Sequence, residues 1–455
     1  MWLLLTALLC LFSRINSQTK GTLTPNTLLE LPSIVDGSQV STKITLDANW
    51  RWIRNIKDNP QGTSNCYNGQ WDASVCKDPV GCTKNCALEG ISKEQWSGTY
   101  GITTQSNSLT LKYVTQGPYG LNVGSRVYVV APSGSKYQSF NVLNKQFIMT
   151  VDVSQLPCGL NGAVYLAEMP LDGGLNSLNT AGAAFGTGYG DAQCPKDIKY
   201  IRGFTNLNGT GACSNEFDLW EANSQSTAFT AHPCKIPSVF PCTHDGDCGE
   251  GTKRYEGVCD KDGADFNPFR NNQASLYGPG SSYSVDTTKP FDVITQFITQ
   301  DHTASGKLVQ VKRLYRQNGK TIDGGSLLDS TIRQFKVANG ESDHFSTLGG
   351  LGTMGESLKR GHVLVLSVWD DSSPAQMRWL DSVYPPTSTK TKDARGRCPK
   401  NDNRDVTYLR QRYASASVTF SNIRLEPLSS SAPTPNPPTP TPSVKQWKCQ
   451  SCVAF

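Results

Sequence analysis

Residues 215–223 read Asn-Glu-Phe-Asp-Leu-Trp-Glu-Ala-Asn (NEFDLWEAN) and place three carboxylates inside an apolar stretch. On a regular strand, side chains at positions i and i+2 share a face, so Glu216 and Asp218 point one way and Glu221 points the other way. One extra residue absorbed as a β-bulge restores the parity and brings all three acids onto one concave face. The apolar residues between the acids would then face the core. The stretch therefore predicts a bulged strand with its carboxylates gathered on one side.

The spacing of the two glutamates suits a hydrolytic reaction. With the bulge they lie about four pleat steps apart, roughly 13 Å at ~3.3 Å per residue. Long side chains that lean inward bring the two carboxyl groups closer, toward the separation of roughly 5 to 5.5 Å that a retaining glycosidase has. There, one carboxylate attacks the anomeric carbon, the other protonates the leaving oxygen, and a middle acid can hold the nucleophile. A calcium site in a lectin-like sandwich and a solvated edge strand are the alternatives.

Alternation with period two recurs far from this strand, in residues 140–153, 361–371 and 414–427. The chain carries 41 Gly and 26 Pro, which break such runs into turns, and the pattern favours antiparallel sheets packed face to face. Helical periodicity is scarce, and the segment KEQWSGTY (93–100) is too short for a convincing helix and carries Gly. We predict an all-β fold, one large β-sandwich over residues 18–428.

Both ends of the chain differ in composition from the predicted sandwich. The apolar opening predicts a secretory signal peptide over residues 1–17, cut before Gln18, and hence a secreted, extracellular protein; a buried N-terminal strand is the alternative. Residues 429–443 (SSSAPTPNPPTPTPS) predict an extended linker. Residues 444–455 are too few to bury a core, so we expect a short tail or a truncated module.

Charge and hydropathy exclude several partners. The net charge of +5 comes from scattered Lys and Arg without a basic stripe, which argues against a nucleic-acid partner. Beyond the opening, no stretch is long and apolar enough to span a membrane. The sequon Asn208-Gly-Thr210 predicts a glycosylated surface loop. We expect a monomer.

Twelve cysteines lie between Cys66 and Cys398, an even number that predicts disulfides in an oxidising compartment. Several cysteines are closely spaced, and with His232 and His244 nearby a zinc site is the alternative. The run DGDCGEG (245–251) lacks the remaining ligands of a calcium loop. We predict no metal and no cofactor.

Five segments together resemble the landmarks of a known family: NEFDLWEANS (215–224), QLPCGLNGAVYLAEM (155–169), NTAGAAFGTGYGDAQCP (179–195), LYGPGSSYSVDTTK (276–289) and VWDDSSPAQMRWLDSVYP (368–385). The family is glycoside hydrolase family 7, the retaining cellulases, and the resemblance covers nearly all of residues 18–428. It implies a concanavalin-like jelly-roll β-sandwich with a long substrate cleft or partial tunnel on the concave sheet. It also implies hydrolysis of β-1,4-glucosidic bonds in cellulose and cello-oligosaccharides with retention of configuration.

The resemblance implies roles for single residues. It makes Glu216 the nucleophile, Asp218 its supporting partner and Glu221 the acid/base, and it places His232 close to the acid/base. Four tryptophans resemble platforms for glucosyl rings, whose apolar faces suit aromatic side chains, although burial in the core is an equal alternative for any one of them: Trp50, Trp52, Trp369 and Trp379. Four further residues resemble residues that line the cleft: Tyr165, Tyr189, Asn161 and Gln193.

The family contains cellobiohydrolases, whose loops roof the cleft into a tunnel, and endoglucanases, whose groove is open. The short segment 201–214 favours an open groove. Tyr255 at a loop tip resembles a cellobiohydrolase residue, and Arg270 and Arg395 resemble arginines that hold the product. We therefore favour a cellobiohydrolase with a partly open tunnel that releases cellobiose from chain ends. An endo-β-1,4-glucanase and a non-catalytic carbohydrate-binding lectin are the alternatives.

The resemblance also implies how the cysteines pair. The family carries more disulfides than this chain can form, because Gly190 and Ser214 occupy the two positions of one family bridge. Six bridges are implied for the remaining cysteines: 66–86, 76–82, 158–398, 194–213, 234–259 and 242–248.

Overall fold

Two large, mainly antiparallel sheets form the body of the protein in a computed structural model. The structure describes residues 19–57, 62–177 and 179–428. The three alternating segments each contain a long strand, as predicted: Lys145–Asp152, His362–Asp370 and Ser417–Pro427. The all-β prediction is confirmed.

We call the sheet that contains the acidic strand Glu216–Ala222 the front sheet and the other large sheet the back sheet. In order across it, the front sheet contains Leu29–Glu30, Lys43–Leu46, Ser125–Val130, His362–Asp370, Leu160–Ala167, Glu216–Ala222, Thr227–His232 and Ala264–Phe266, with Ser139–Phe140 paired to His362–Asp370. The back sheet contains Lys320–Leu327, Leu308–Gln317, Phe291–Thr299, Lys145–Asp152, Ser417–Pro427, Ser33–Val35 and Ser38–Val40, with Ser108–Lys112 paired to Ser417–Pro427 and Ile102–Gln105 paired to Ser108–Lys112.

Short strands form five smaller sheets around this sandwich. They are Thr19–Lys20 with Cys86–Leu88 and Ile53–Asn55, Val114–Gly117 with Gly120–Val123, Tyr200–Ile201 with Phe204–Thr205, Gly211–Cys213 with Phe240–Cys242, and Tyr277–Gly278 with Val285–Asp286.

Helices are more numerous than the sequence indicated. The α-helices of the described residues are Pro79–Asn85, Lys93–Gly98, Asp245–Cys248, Asp329–Asn339, His344–Thr347, Gly350–Lys359, Arg378–Asp381 and Val406–Arg412, and the 3-10 helices are Ala48–Trp50, Ala183–Phe185, Gly251–Lys253 and Thr391–Asp393. The rejection of KEQWSGTY was wrong, because a capping box at Ser92 stabilises the helix Lys93–Gly98.

The helix Gly350–Lys359 shows why helical periodicity was missed. Leu351, Met354 and Leu358 follow the spacing of one helix face and pack into the core. The interspersed glycines hid this pattern, because glycine lowers helix propensity while tertiary packing supplies the stability.

The main core lies between the two sheets. Along His362–Asp370, Leu364, Leu366 and Val368 belong to this core, while the alternate residues Val363 and Val365 belong to a second apolar cluster on the opposite side of the front sheet. We call that opposite side the outer face of the front sheet. Loops cover part of it, so polar groups there are buried without lying in the core.

The predicted β-bulge is present in the acidic strand. In the pairing with Leu160–Ala167 the register runs from Asp218 opposite Tyr165 to Trp220 opposite Val164, which leaves Leu219 as the extra residue. The pairing with Thr227–His232 shifts at the same place. Two successive residues of the strand therefore face the core, and the parity of Glu221 is restored.

The six predicted disulfides are all formed: Cys66–Cys86, Cys76–Cys82, Cys158–Cys398, Cys194–Cys213, Cys234–Cys259 and Cys242–Cys248. All twelve cysteines of this region are disulfide-bonded, so they are not available as zinc ligands. The predicted signal peptide, linker and tail lie outside the described residues. Within residues 19–57, 62–177 and 179–428, no helix has both the length and the apolar character that a membrane crossing requires.

Candidate active site

Glu216, Asp218 and Glu221 lie together on the outer face of the front sheet. Their interleaved neighbours all belong to the core between the sheets: Phe217, Leu219, Trp220 and Ala222. Asn161, from the adjacent strand, donates a hydrogen bond from Nδ2 to Oε1 of Glu221 over 2.9 Å. Burial raises the pKa of both glutamates, and the nearby charge of Asp218 raises both further, so Asp218 lies close to each of them. The bulge therefore gathers the three acids as predicted.

Glu216 is buried, and its carboxylate is held by the main chain. The amide of Ala192 donates to Oε2 of Glu216 over 3.0 Å. Burial raises the pKa of Glu216 well above its usual range, and the charges of Asp218 and Asp191 act in the same direction. The site therefore disfavours a negative charge on Glu216, and bond formation with a centre that becomes positively charged relieves that unfavourable charge.

Tyr165 and Tyr189 lie close to Glu216 in a buried hydrogen-bonded group. Their hydroxyl groups are 2.8 Å apart, and the Tyr189 hydroxyl donates to Oδ2 of Asp191 over 2.6 Å. The guanidinium of Arg126 lies 3.4 Å from the centre of the Tyr189 ring. Both hydroxyl groups are therefore engaged within the protein, and the cleft-lining role of the two tyrosines stays a prediction.

Asp218 and His232 form a buried ion pair beside the glutamates. Nε2 of His232 lies 3.0 Å from Oδ2 of Asp218, and Nδ1 lies 2.7 Å from the carbonyl oxygen of Asp260. The carbonyl oxygen of Asp260 can only accept, so Nδ1 carries a proton. The carboxylate of Asp218 also accepts, so Nε2 carries a proton as well and the ring is an imidazolium. Burial opposes this charge, but the hydrogen bond to Asp218 and its charge outweigh burial and raise the pKa of His232 to about 9.

Glu221 has the environment of a general acid. It is half-buried, while Glu216 and Asp218 are buried. Burial, followed by the charge of Asp218, raises the pKa of Glu221 to about 8, although the charge of His232 and the Asn161 hydrogen bond oppose the shift. A carboxyl group with this pKa carries its proton at neutral pH and can donate it to a leaving oxygen.

The four predicted tryptophans fall into two groups. Trp52 is 38% exposed and its ring centre lies 6.1 Å from that of Tyr119, while the half-buried Trp50 lies against the Arg126 guanidinium at 5.5 Å. Trp369 and Trp379 stack on each other, with ring centres 6.1 Å apart and planes inclined by 29°. The second pair therefore offers one composite platform.

An open pocket of about 410 Å³ lies next to Asn49, which hydrogen-bonds to its lining residues Asp197 and Lys199. Tyr67 and Trp71 form an edge-to-face pair in its wall, and the Lys199 ammonium lies 4.5 Å from the centre of the Tyr67 ring. Lys199 also donates to the carbonyl oxygen of Asn49, the residue before Trp50. Sequence reasoning missed this pocket, because its residues come from segments that lack a recognisable pattern.

The two predicted arginines converge on one carboxylate, that of Asp265. Arg270 donates from Nη1 to Oδ1 of Asp265 over 2.7 Å and from Nη2 to Glu341. Nη1 of Arg395 is 3.8 Å from Oδ2 of Asp265, and Nε of Arg395 has no hydrogen-bond partner in the described part of the chain. Arg270 is thus committed to internal ion pairs, and Arg395 retains the greater capacity to hold a ligand.

The two remaining predicted residues, Tyr255 and Gln193, lie in loops. Tyr255 is 46% exposed and donates its hydroxyl to Oδ2 of Asp262 over 2.9 Å. Gln193 is exposed, and its Nε2 donates to the carbonyl oxygen of Lys261 over 2.8 Å. Their positions leave the roles predicted for them as predictions.

Three aspartates were missed by sequence reasoning: the buried Asp191 and Asp260 and the half-buried Asp265. Asp191 lies within the quoted segment 179–195, and Asp265 lies five residues before Arg270, so both were next to residues already singled out. A local sequence signal does not distinguish them from surface aspartates, because their roles depend on loops that close over the outer face.

Residues 32–432 match the sequence pattern of the family described as Glycosyl hydrolase family 7. The chain belongs to glycosyl hydrolase family 7. A family 7 relative, Exoglucanase GH7B from Limnoria quadripunctata, is 42% identical in an alignment of length 445 that covers 91% of this chain and 96% of that protein. Membership confirms the predicted family and the jelly-roll sandwich, and it makes the protein a glycoside hydrolase whose family supports cellulose hydrolysis with retention.

The solved structures similar to this chain include both a cellobiohydrolase and an endocellulase. A cellobiohydrolase from Daphnia pulex is 39% identical, with a TM-score of 0.87, and covers 91% of this chain and 100% of its own. An endocellulase, EGI from Humicola insolens, is 31% identical, with a TM-score of 0.77, and covers 91% of this chain and 100% of its own.

Proposed function

We propose that the protein is a secreted, monomeric cellobiohydrolase that releases cellobiose from the ends of cellulose chains. The observation that carries the hydrolytic proposal is the bulge at Leu219, because it brings Glu216, Asp218 and Glu221 onto one face. The higher identity and TM-score of the Daphnia pulex cellobiohydrolase than of the Humicola insolens endocellulase support exo action. The short segment 201–214 favours a partly open tunnel.

The reaction proceeds in two displacements. The ionised Glu216 attacks the anomeric carbon while Glu221 transfers its proton to the glycosidic oxygen, so the leaving sugar departs as an alcohol. Glu221, now ionised, takes a proton from water, and the resulting hydroxide displaces Glu216 from the anomeric carbon. Two inversions give net retention. The Asp218–His232 pair holds its position beside both glutamates, and its charges help to keep their proton states different.

Cello-oligosaccharides and cellulose are the proposed ligands of the tryptophan groups. Trp50 and Trp52 lie on one side of the acids, with Arg126 and the tyrosines in between, and the stacked pair Trp369–Trp379 lies near Glu221, since Trp369 is paired in register with Asn161. Successive glucosyl rings would stack on these platforms as the chain crosses the outer face.

Product analysis tests exo action against endo action. We expect cellobiose to dominate the soluble products from the first turnovers on amorphous cellulose, because an enclosed cleft accepts chain ends. Chromatography of early time points measures this ratio. A rapid fall in the viscosity of carboxymethylcellulose, when only few reducing ends have been released, would instead establish the endoglucanase alternative.

Replacing Arg395 by Ala is expected to weaken inhibition by cellobiose about ten-fold. Arg395 keeps donors that internal ion pairs do not use, and one hydrogen bond from a charged group contributes about 1.5 kcal/mol or more. Inhibition constants measured on a chromogenic cellobioside give the change.

Arg397 provides the matched control for that substitution. It is exposed, lies two residues away and donates to the carbonyl oxygen of Ala274. Arg397→Ala should leave cellobiose inhibition unchanged. Equal effects of the two substitutions would show that Arg395 acts through the loop and not through the product.

A further inference from the structure

The extra residue of the bulge, Leu219, has an unusual hydrogen-bond partner. It alone among residues 216–222 lacks a register partner in both neighbouring strands. Its carbonyl oxygen accepts a hydrogen bond from Nη2 of Arg313, which belongs to the back-sheet strand Leu308–Gln317. A side chain of the opposite sheet therefore crosses the core to reach the residue on which the parity of the acidic strand depends.

Arg313 is an unusual residue for the position it occupies. It is fully buried, and its guanidinium also donates from Nη2 to Oγ1 of Thr295 over 3.1 Å. No carboxylate of residues 19–57, 62–177 or 179–428 forms an ion pair with it, and burial lowers its pKa. Aromatic rings surround the guanidinium, the nearest being that of Phe229 at 4.5 Å.

The surrounding chain provides space for this arginine. A Cβ atom at Gly324, on the neighbouring strand Lys320–Leu327, would lie 2.5 Å from Cγ of Arg313. Burying a cation without a counter-ion is unfavourable, and an apolar side chain of similar volume would be more stable there. The arrangement therefore stabilises a particular local geometry at the expense of the core.

We propose that Arg313 is a positioning residue for the general acid: by holding the Leu219 carbonyl, it maintains the bulge that keeps Glu221 on the same face as Glu216. This inference rests on the proposed function of Glu221. Because strand side chains alternate with period two, loss of the extra residue from the bulge would turn Glu221 toward the core. Glu216 and Asp218 precede the bulge, so the nucleophile would keep its place.

The test compares two substrates in Arg313→Met, which replaces the cation with an apolar chain of similar length. Cellotetraose has a poor leaving group that needs protonation, and dinitrophenyl β-cellobioside has a leaving group that departs without it. We expect kcat/KM, which reports the glycosylation step, to fall by about 100-fold or more on cellotetraose and by less than about 10-fold on the dinitrophenyl substrate. The ratio of the two losses is the measurement.

Rates are divided by the concentration of reactive Glu216, so that unfolded protein does not contribute to the comparison. A fluorinated dinitrophenyl cellobioside that traps Glu216 titrates the reactive sites without a general acid. Arg313→Gln, which keeps an amide donor, is the second variant and should show the same ratio in weaker form. Thr295→Val removes the other acceptor of Nη2 and should leave the ratio unchanged.

Equal losses on the two substrates, or no loss on cellotetraose, would overturn the proposal. So would the absence of titratable sites in both Arg313 variants, since the arginine would then serve the fold as a whole. A Thr295→Val ratio equal to that of Arg313→Met would overturn the assignment to the Leu219 carbonyl. Failure of the proposed function is distinguishable, because Glu221→Gln would then lack the leaving-group effect.

Discussion

Replacing Glu216 by Gln is expected to lower kcat on cello-oligosaccharides by about 10⁴-fold or more, while the Kd of cellotetraose changes by less than about three-fold. The amide is nearly isosteric, so sugar contacts persist, but it cannot form the glycosyl ester. Its surroundings make Glu216 hard to replace, because the Ala192 amide orients one oxygen and the charges of Asp218 and Asp191 make the ionised form reactive.

Calorimetric titration with cellotetraose and product chromatography separate the two effects. Glu256, an exposed glutamate, provides the control, and Glu256→Gln should leave both quantities unchanged. A Glu216→Gln protein that still turns over cellotetraose would contradict the assignment. A wild-type protein that binds cellotetraose without hydrolysing it would instead support the lectin alternative.

Glu221→Gln is expected to lower kcat/KM on cellotetraose by about 10³- to 10⁴-fold and to lower kcat/KM on dinitrophenyl β-cellobioside far less. The reason is that only the first substrate needs a proton on its leaving oxygen. With the activated substrate, deglycosylation becomes limiting, because no general base deprotonates water. Added azide, which needs no base, should accelerate turnover and yield cellobiosyl azide of retained configuration.

The pH dependence of the wild-type enzyme checks the same assignment. Glu221 acts as an acid and must be protonated, and its pKa is about 8 in the free protein. The value of kcat/KM on cellotetraose should therefore fall as pH rises through that value, and the raised pKa of Glu216, which must be ionised to attack, sets the acidic limb. In Glu221→Gln this alkaline limb should disappear. A limb that persists unchanged in the variant would belong to another group, and the acid would have to be sought elsewhere.

The acidic strand was predictable because its constraints are local. Parity along a strand fixes the face of each side chain, so two glutamates five positions apart require a bulge to share a face, and the structure contains it. The disulfide pairs were also predictable, but from family resemblance and not from spacing. In both cases the information lies within short segments of the chain.

Other features depended on contacts between distant segments. Arg270 reads in sequence as a ligand-binding side chain, but in the structure Asp265 and Glu341 engage its guanidinium. Trp369 and Trp379 read as two separate platforms and in fact stack on each other. Arg313 carries no motif at all, since its role comes from a carbonyl 94 residues away in the chain. Side-chain partners of this kind follow only from the assembled sheets.

The strand Ser417–Pro427 is the last element of the sandwich in the chain, yet it lies inside the back sheet, between Lys145–Asp152 and Ser33–Val35. During translation the strands on either side of it emerge long before it, and until it is made no strand connects these two parts of the back sheet. The back sheet can close only after this strand has left the ribosome, so the sandwich should form late relative to the synthesis of its other strands. A premature stop codon before residue 417 would accordingly leave an open, aggregation-prone half-sheet rather than a shortened enzyme.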